Sequence, residues 1–262
     1  MNQDYRENLA LAFDTLRTHK LRSFLAVLGV MIGVGLIILV VGLVDGFKTV
    51  IQDEITQEGI DTAWVQRYGQ NFNNGGRRPK EERERKPLTL EDGEALMQSC
   101  PAIKQVAISI FQWEVPHNVR YQNNEVQGIE FRGTFPAFLE VYSNATMAAG
   151  RFFTDTENIH RENVAVVGEN VATALYGAIP DAIGKNIMVD GSTFQVIGVL
   201  QKPVGGFGTN DEDRRVVLPY YTFRKIYPAA FEIFIRFLSY PGQVDKAVDQ
   251  ARDVLRRRRR GE

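Results

Sequence analysis

Three histidines, one cysteine and two glycine-rich stretches are the parts of this 262-residue chain whose residue types could do chemistry. His19, His117 and His160 lie too far apart for the short spacings at which paired side chains hold zinc. Cys100 is the only cysteine, so no intrachain disulfide forms and no second thiol is there to share a metal. Gly205, Gly206 and Gly208 invite a phosphate-cradle reading, but a P-loop needs Gly-Lys followed by Ser or Thr after a four-residue spacer. Gly184-Lys185 is followed by Asn186 and leads into a strand-like stretch rather than a helix. Gly-x-Ser-x-Gly, Ser-x-x-Lys and Cys/His pairings are all missing, and the carboxylates are dispersed as a solvated surface requires. The sequence therefore nominates no catalytic, cofactor-binding or metal-ligating residue, and the expectation is a chain that is not an enzyme.

Charge narrows the partners further. Lys+Arg 31 against Asp+Glu 32 leaves a formal net charge of -1, which gives no global field for nucleic acid. The sharpest cluster is Arg256 to Arg260, for which plain solvation is expected ahead of contact with anionic headgroups.

The elements that must carry a function start with the uncharged run at 23–44, "SFLAVLGVMIGVGLIILVVGLV". At 1.5 Å per residue, about 22 such residues cover the roughly 30 Å hydrocarbon core as one helix. A cleaved signal peptide has an apolar core of roughly 7 to 15 residues, shorter than this run. Arg17, Lys20 and Arg22 precede the run, and Asp45, Lys48, Asp53, Glu54 and Glu58 follow it, so the N-terminus is expected in the cytoplasm and the remainder outside. Gly29 and Gly33 stand at GxxxG spacing, which allows close approach of another helix, although glycine is also ordinary in membrane helices. Tyr5, Leu9, Ala12, Phe13 and Leu16 recur at helical spacing, so 1–22 is expected as a cytoplasmic amphipathic helix. Phe47, Val50, Ile51 and Ile55 keep the same period towards Gly59, so 45–59 is expected as an outward helical stalk.

Beyond Gly59 the pattern alternates strands and helices. Residues 62–68 read as a strand, and 69–87, with almost no apolar residue, as a mobile loop. Thr89 and Asp92 resemble a capping box that opens a helix closed by Pro101. Strands are expected at 103–115 and 119–131 with a turn at Pro116, His117 and Asn118, then a short helix at 136–142. The next segment opens with "GRFFTDTE" and continues as strand "NVAVVG", helix "ENVATALYG" and strands "KNIMVDG" and "STFQVIGVL". Asp190-Gly191 is the two-residue hairpin turn between the last two. A strand "RRVVLP", a helix at 221–226, a strand "FEIFIRFL" and an amphipathic helix with Val244, Ala247, Val248, Ala251 and Leu255 on one side complete the chain. Strand, helix, two strands, helix and a final strand is a split ferredoxin-like order, interrupted by the "GRFF" segment.

The membrane run, "GRFFTDTE", "NVAVVGENVATALYG", "IGKNIMVDGSTFQVIGVL", "DEDRRVVLP" and "SYPGQVDKAVDQARDVLRRR", taken in this order, resemble the first membrane helix and periplasmic core domain of MacB-type (MacB/FtsX-like) ABC transporter permeases. That resemblance implies an α+β periplasmic domain at 60–262. Its porter-like subdomain, a split ferredoxin-like fold, would occupy 60–145 and 229–258, and a mixed α/β Sabre-like insertion 146–228. It implies the bacterial inner membrane, a separate ABC ATPase subunit, a second permease copy as a dimer, and a periplasmic adaptor or outer-membrane component as partners, with no cofactor of its own. Family members carry three further membrane helices, so an N-terminal portion of a longer permease is expected. The rival reading is a single-pass membrane-anchored periplasmic binding or assembly-adaptor module.

Overall fold

The computed structural model describes residues 20–58, 61–67, 85–111, 117–202, 214–230 and 232–259. Residues 1–19 of the expected amphipathic lead, most of the expected mobile loop, the last four residues of the 103–115 strand and the glycine loop at 205–208 lie outside the described residues.

The first element is α1, Lys20–Glu58, one helix that continues past the apolar run without interruption. Lys20–Gly46 is long and apolar enough to cross a membrane, and most of its described large side chains, among them Leu25, Ile37 and Leu43, are exposed. Apolar side chains on all sides suit lipid rather than water. Chain compactness divides at Gln52/Asp53, and the second unit, from Asp53 onward, holds every strand.

Among the described residues that unit holds ten strands and six further α-helices. In order they are β1 Thr62–Val65, α2 Leu90–Ser99, β2 Ile103–Phe111, β3 His117–Tyr121, β4 Asn124–Thr134, α3 Phe138–Val141, β5 Met147–Gly150 and α4 Asp155–Ile159. Then come β6 Val164–Gly168, α5 Glu169–Tyr176, β7 Asn186–Val189, β8 Ser192–Leu200, β9 Arg215–Pro219, α6 Tyr220–Ile226, β10 Glu232–Ser239 and α7 Val244–Arg259. All ten strands join one sheet, mostly antiparallel, with parallel pairs β4–β9 and β6–β8.

Alternation along the strands feeds two cores. Val106, Ile108 and Ile110 of β2 enter a cluster roofed by α2, α5, α6 and α7, whereas Ala107 faces a second cluster with Phe138, Tyr142, Phe152 and Phe153. Ala165 and Val167 against Val164 and Val166, and Val216 and Leu218 against Val217, repeat the same split. A sheet covered on both faces reads as a continuous apolar run, which is why "NVAVVG" and "RRVVLP" carry the plainest strand signals of the chain.

Five strands, β1, β2, β3, β4 and β10, differ from their expected places or order. The stretch 119–131 is a hairpin rather than one strand, with His117 and Asn118 inside β3 and the turn at Gln122 and Asn123. Gln122 takes φ +51, a left-handed turn at a residue that sequence patterns do not mark, which hid it. Gly128, at φ +65, is the extra residue between Gln127 and Ile129 where the β3–β4 register shifts, a bulge that glycine alone adopts without strain. β1, β2, β4 and β10 are ordered β1-β10-β2-β4, so along the chain they lie first, fourth, second, third. A ferredoxin-like sheet runs fourth, first, third, second; what is kept is the interleaving, since a foreign strand still splits each crossover. β3 and β4 also pair with β7 and β9, so strands placed on opposite sides of the expected 145/146 boundary share one hydrogen-bonded sheet.

The C-terminal arginines are not simply solvated. Arg258 Nε and Arg259 Nη2 donate to the carboxylate of Asp92 at 3.0 and 3.1 Å, and the Thr89 amide closes the capping box on it at 3.1 Å. Arg259 also reaches the Lys86 and Pro87 carbonyls, which pins the end of the stretch expected to be mobile. Asp92 is 5 % exposed; burial pushes its carboxyl up, but the hydrogen bonds from Arg258, Thr89 and Arg259 outweigh that and hold it below the usual carboxylate range. A depressed carboxyl stabilises the fold above its unfolded value and loses that contribution as pH falls through the folded value. Asp92→Asn is expected to cost about 1–2 kcal/mol at neutral pH, because the half-exposed arginines recover part of their hydration. The gap between the two proteins' denaturation curves should begin to narrow as pH falls below about 4 and close only below the depressed folded value of Asp92; a pH-independent gap contradicts the ion pair as its cause.

Candidate functional site: a cationic groove and a buried polar junction

Beside the clasp, β1, β10 and α7 enclose a groove of about 680 Å3. Its floor is apolar, with Phe237 from β10, Leu88 from the segment before α2, and Val248, Ala251 and Leu255 from α7. Those three α7 positions recur at helical spacing, and Arg252, Arg256 and Arg259 follow at i, i+4 and i+7 on the adjoining strip, so the helix lends the groove both its floor and part of its rim. Arg67 and Arg85 complete the rim, tied together by a 2.6 Å hydrogen bond from Arg67 Nε to the Arg85 carbonyl. Trp64 of β1 also borders the groove; its half-exposed ring lies 5.5 Å from the Arg236 guanidinium.

A second concentration of polar chemistry lies at the hairpin turn between β7 and β8. Asp190, in the left-handed conformation that the Asp-Gly turn demands, faces His117 Nδ1 at 2.5 Å and accepts from the Tyr227 hydroxyl. His117 is buried and packs against Phe131 and Tyr227 at ring separations of 5.2 and 5.5 Å. Burial, then the hydrogen bond to Asp190, raises the Tyr227 hydroxyl far above the ordinary tyrosine range, so it stays a donor at any physiological pH. The junction ties β3, the β7–β8 turn and the end of α6 through one carboxylate. Sequence reading noticed both His117 and Asp190-Gly191, but nothing in their spacing placed them together.

On the other face of the sheet the Tyr142 ring lies between two guanidiniums, Arg236 at 4.4 Å and Arg132 at 5.8 Å. Arg132 also lies over Phe111 at 4.7 Å and pairs with Glu130. These contacts desolvate two arginines that the sequence pattern assigned no role.

The remaining residues singled out by type are dispersed. Cys100 is buried, and burial pushes its thiol up against a smaller opposing pull from Arg257, which leaves it a poor nucleophile. His160 caps the end of α4 at the surface, and Gly184, at φ +79, is a turn leading into β7. Among the described residues no group of three or more His, Cys, Asp or Glu is placed to hold a metal ion.

Comparison with known proteins gives these elements a family. The model of the MacB-like periplasmic core domain matches residues 23–254. A macrolide export ATP-binding/permease protein MacB of Bdellovibrio bacteriovorus is 31% identical over 249 residues, 95% of this chain and 35% of the relative. Its counterpart in a Shewanella species is 33% identical over 222 residues, 83% of this chain and 32% of the relative. The chain thus spans about a third of the length of the curated relatives it matches. In fold it is similar to the periplasmic region of MacB from Actinobacillus actinomycetemcomitans, with a TM-score of 0.61 at 17% identity over 78% of this chain and 86% of that one. The extracellular domain of the noncanonic ABC-type transporter YknZ aligns with a TM-score of 0.53 at 20% identity, over 66% of this chain and 84% of that one. An apolar N-terminal helix followed by a mixed α/β domain of this architecture, matched over nearly its whole length, means that the chain belongs to the MacB-like periplasmic core domain family.

Proposed function

We propose that the chain acts as the N-terminal part of an ABC-type export permease, anchored by its first helix with the N-terminus in the cytoplasm and the α/β domain in the periplasm. In this reading a separate ATPase subunit hydrolyses ATP on the cytoplasmic side, and the permease, working as a pair of copies, passes the resulting motion to the outer domain. β1, β2, β4 and β10 with their helices form its porter-like part, and the segment from β5 to β9 its Sabre-like part. The relatives' names, macrolide export and, for a 25% identical protein of Pseudomonas syringae, pyoverdine export, favour efflux over lipoprotein release.

One observation supports this reading above the rest: α1 is a single helix from Lys20 to Glu58, so the apolar segment and its polar continuation are one rod. Helical hydrogen bonds run along the axis, and a rod without a break transmits axial and rotational displacement that a flexible linker would absorb. An anchored binding module needs only attachment, for which a flexible linker would serve.

Topology is tested by protease applied outside spheroplasts, which should digest the chain beyond Asp45 and spare the first twenty residues; the reverse pattern contradicts the orientation. Transmission is tested by Val50→Pro in the full-length permease with its ATPase, since proline in a helix interior costs about 3 kcal/mol and kinks the rod. Membrane insertion should survive, because the substitution lies beyond Gly46, while ATP turnover should continue with export lost. Export at the parental rate would contradict transmission and favour the binding-module reading.

A further inference from the structure

The groove beside α7 carries a charge pattern that the transmission role does not use. Five of its lining residues are arginines, Arg67, Arg85, Arg252, Arg256 and Arg259, and among the described residues no carboxylate lines it. Three of the five are paired at its margins: Arg67 with Glu232, Arg252 with Asp249 and Arg259 with Asp92. Arg85 and Arg256 have no such partner among the described residues, and both side chains are exposed. Arg85 and Arg256 therefore retain donors that an anion can occupy, accepting charge-assisted hydrogen bonds from the guanidinium groups. The floor, by contrast, is apolar, and buried hydrocarbon or an aromatic ring is what it solvates best.

We propose that this groove is a binding site for a small free amphiphilic organic anion, whose carboxylate, sulfonate or phosphate is held by Arg85 and Arg256 and whose apolar body lies on Leu88, Phe237, Val248 and Leu255. The volume of about 680 Å3 suits one drug-sized molecule. Specificity for charge comes from the rim and tolerance of shape from the aliphatic floor. The Arg258 and Arg259 clasp on Asp92 fixes the adjoining turn of α7, so the rim is held in place before a ligand arrives.

The test uses the full chain in phosphatidylcholine nanodiscs and calorimetric titration with naphthalene-2-sulfonate, with empty nanodiscs subtracted. Saturable binding at one site per chain is expected, with roughly tenfold weakening in Arg256→Glu and in Arg85→Glu, because each removes a charge-assisted contact and adds a repulsive one. Both side chains are exposed and have no ion-pair partner among the described residues, so unchanged melting curves are expected of the variants, and Lys225→Glu on α6 should bind as the parent does. The cation 2-naphthylmethylammonium should not bind. Equal binding of the cation, or affinities unchanged in both arginine variants, overturns the proposal and reduces the signal to adventitious partitioning. Loss of sulfonate binding when the nanodiscs contain phosphatidylglycerol also overturns it, by assigning the groove to a lipid headgroup.

Discussion

Inside the hydrocarbon of a bilayer no water is present to satisfy a backbone amide, so a single crossing segment must be a helix from one interface to the other. That constraint fixes α1, and much else depends on how the helix ends. Nothing in residues 45–58 stops it: no proline occurs there, and the period of apolar residues runs on until Gly59. The bilayer enforces the helix through the apolar run, and propensity together with periodicity extends it to Glu58. A segment that begins as an anchor therefore emerges as a rod, and the proposed mechanical role rests on that continuity.

The outer domain solves a different problem. With a single cysteine the chain forms no intrachain disulfide, so the ten-stranded sheet depends on non-covalent contacts, burial foremost. It buries both faces, under α2, α5, α6 and α7 on one side and under α3 and the Phe152–Phe153 segment on the other. Charged groups that enter this interior are paired or stacked rather than bare. Asp92 takes two arginines, Arg132 takes Glu130 and three aromatic rings, and Asp190 serves His117 and Tyr227 together. The Asp92 and Asp190 groupings tie elements far apart in sequence, α2 to α7 and β3 to the β7–β8 turn and the end of α6.

What was legible in the sequence divides along the same physical line. Local signals read well: the membrane run from its length, the Thr89–Asp92 box from its spacing, the Asp190-Gly191 turn from its dipeptide, and β6, β8 and β9 from their β-branched runs. Information carried by long-range partners did not. The arginines at 256–259 read as a solvated run because Asp92 is more than 160 positions away, and the groove became visible only when β1, β10 and α7 were brought together. The Gln122 turn was hidden for a local reason, since glutamine in the left-handed region carries no compositional mark. The family resemblance pointed to the right architecture, but its ferredoxin-like strand order did not survive, because the order depends on which strand inserts between β1 and β2, and that is a tertiary choice.

The continuity of the rod in the working protein is the central claim, and a nitroxide scan tests it directly. Single spin labels at each position from 45 to 58, in a Cys100→Ser background of the full-length permease with its ATPase, report side-chain mobility and oxygen accessibility by electron paramagnetic resonance. An unbroken helix predicts that both quantities oscillate with a period of about 3.6 residues across the whole window, in phase with the membrane segment. Loss of the period beyond Gly46, with uniformly mobile labels, would show a flexible tether in place of a rod and would contradict the account.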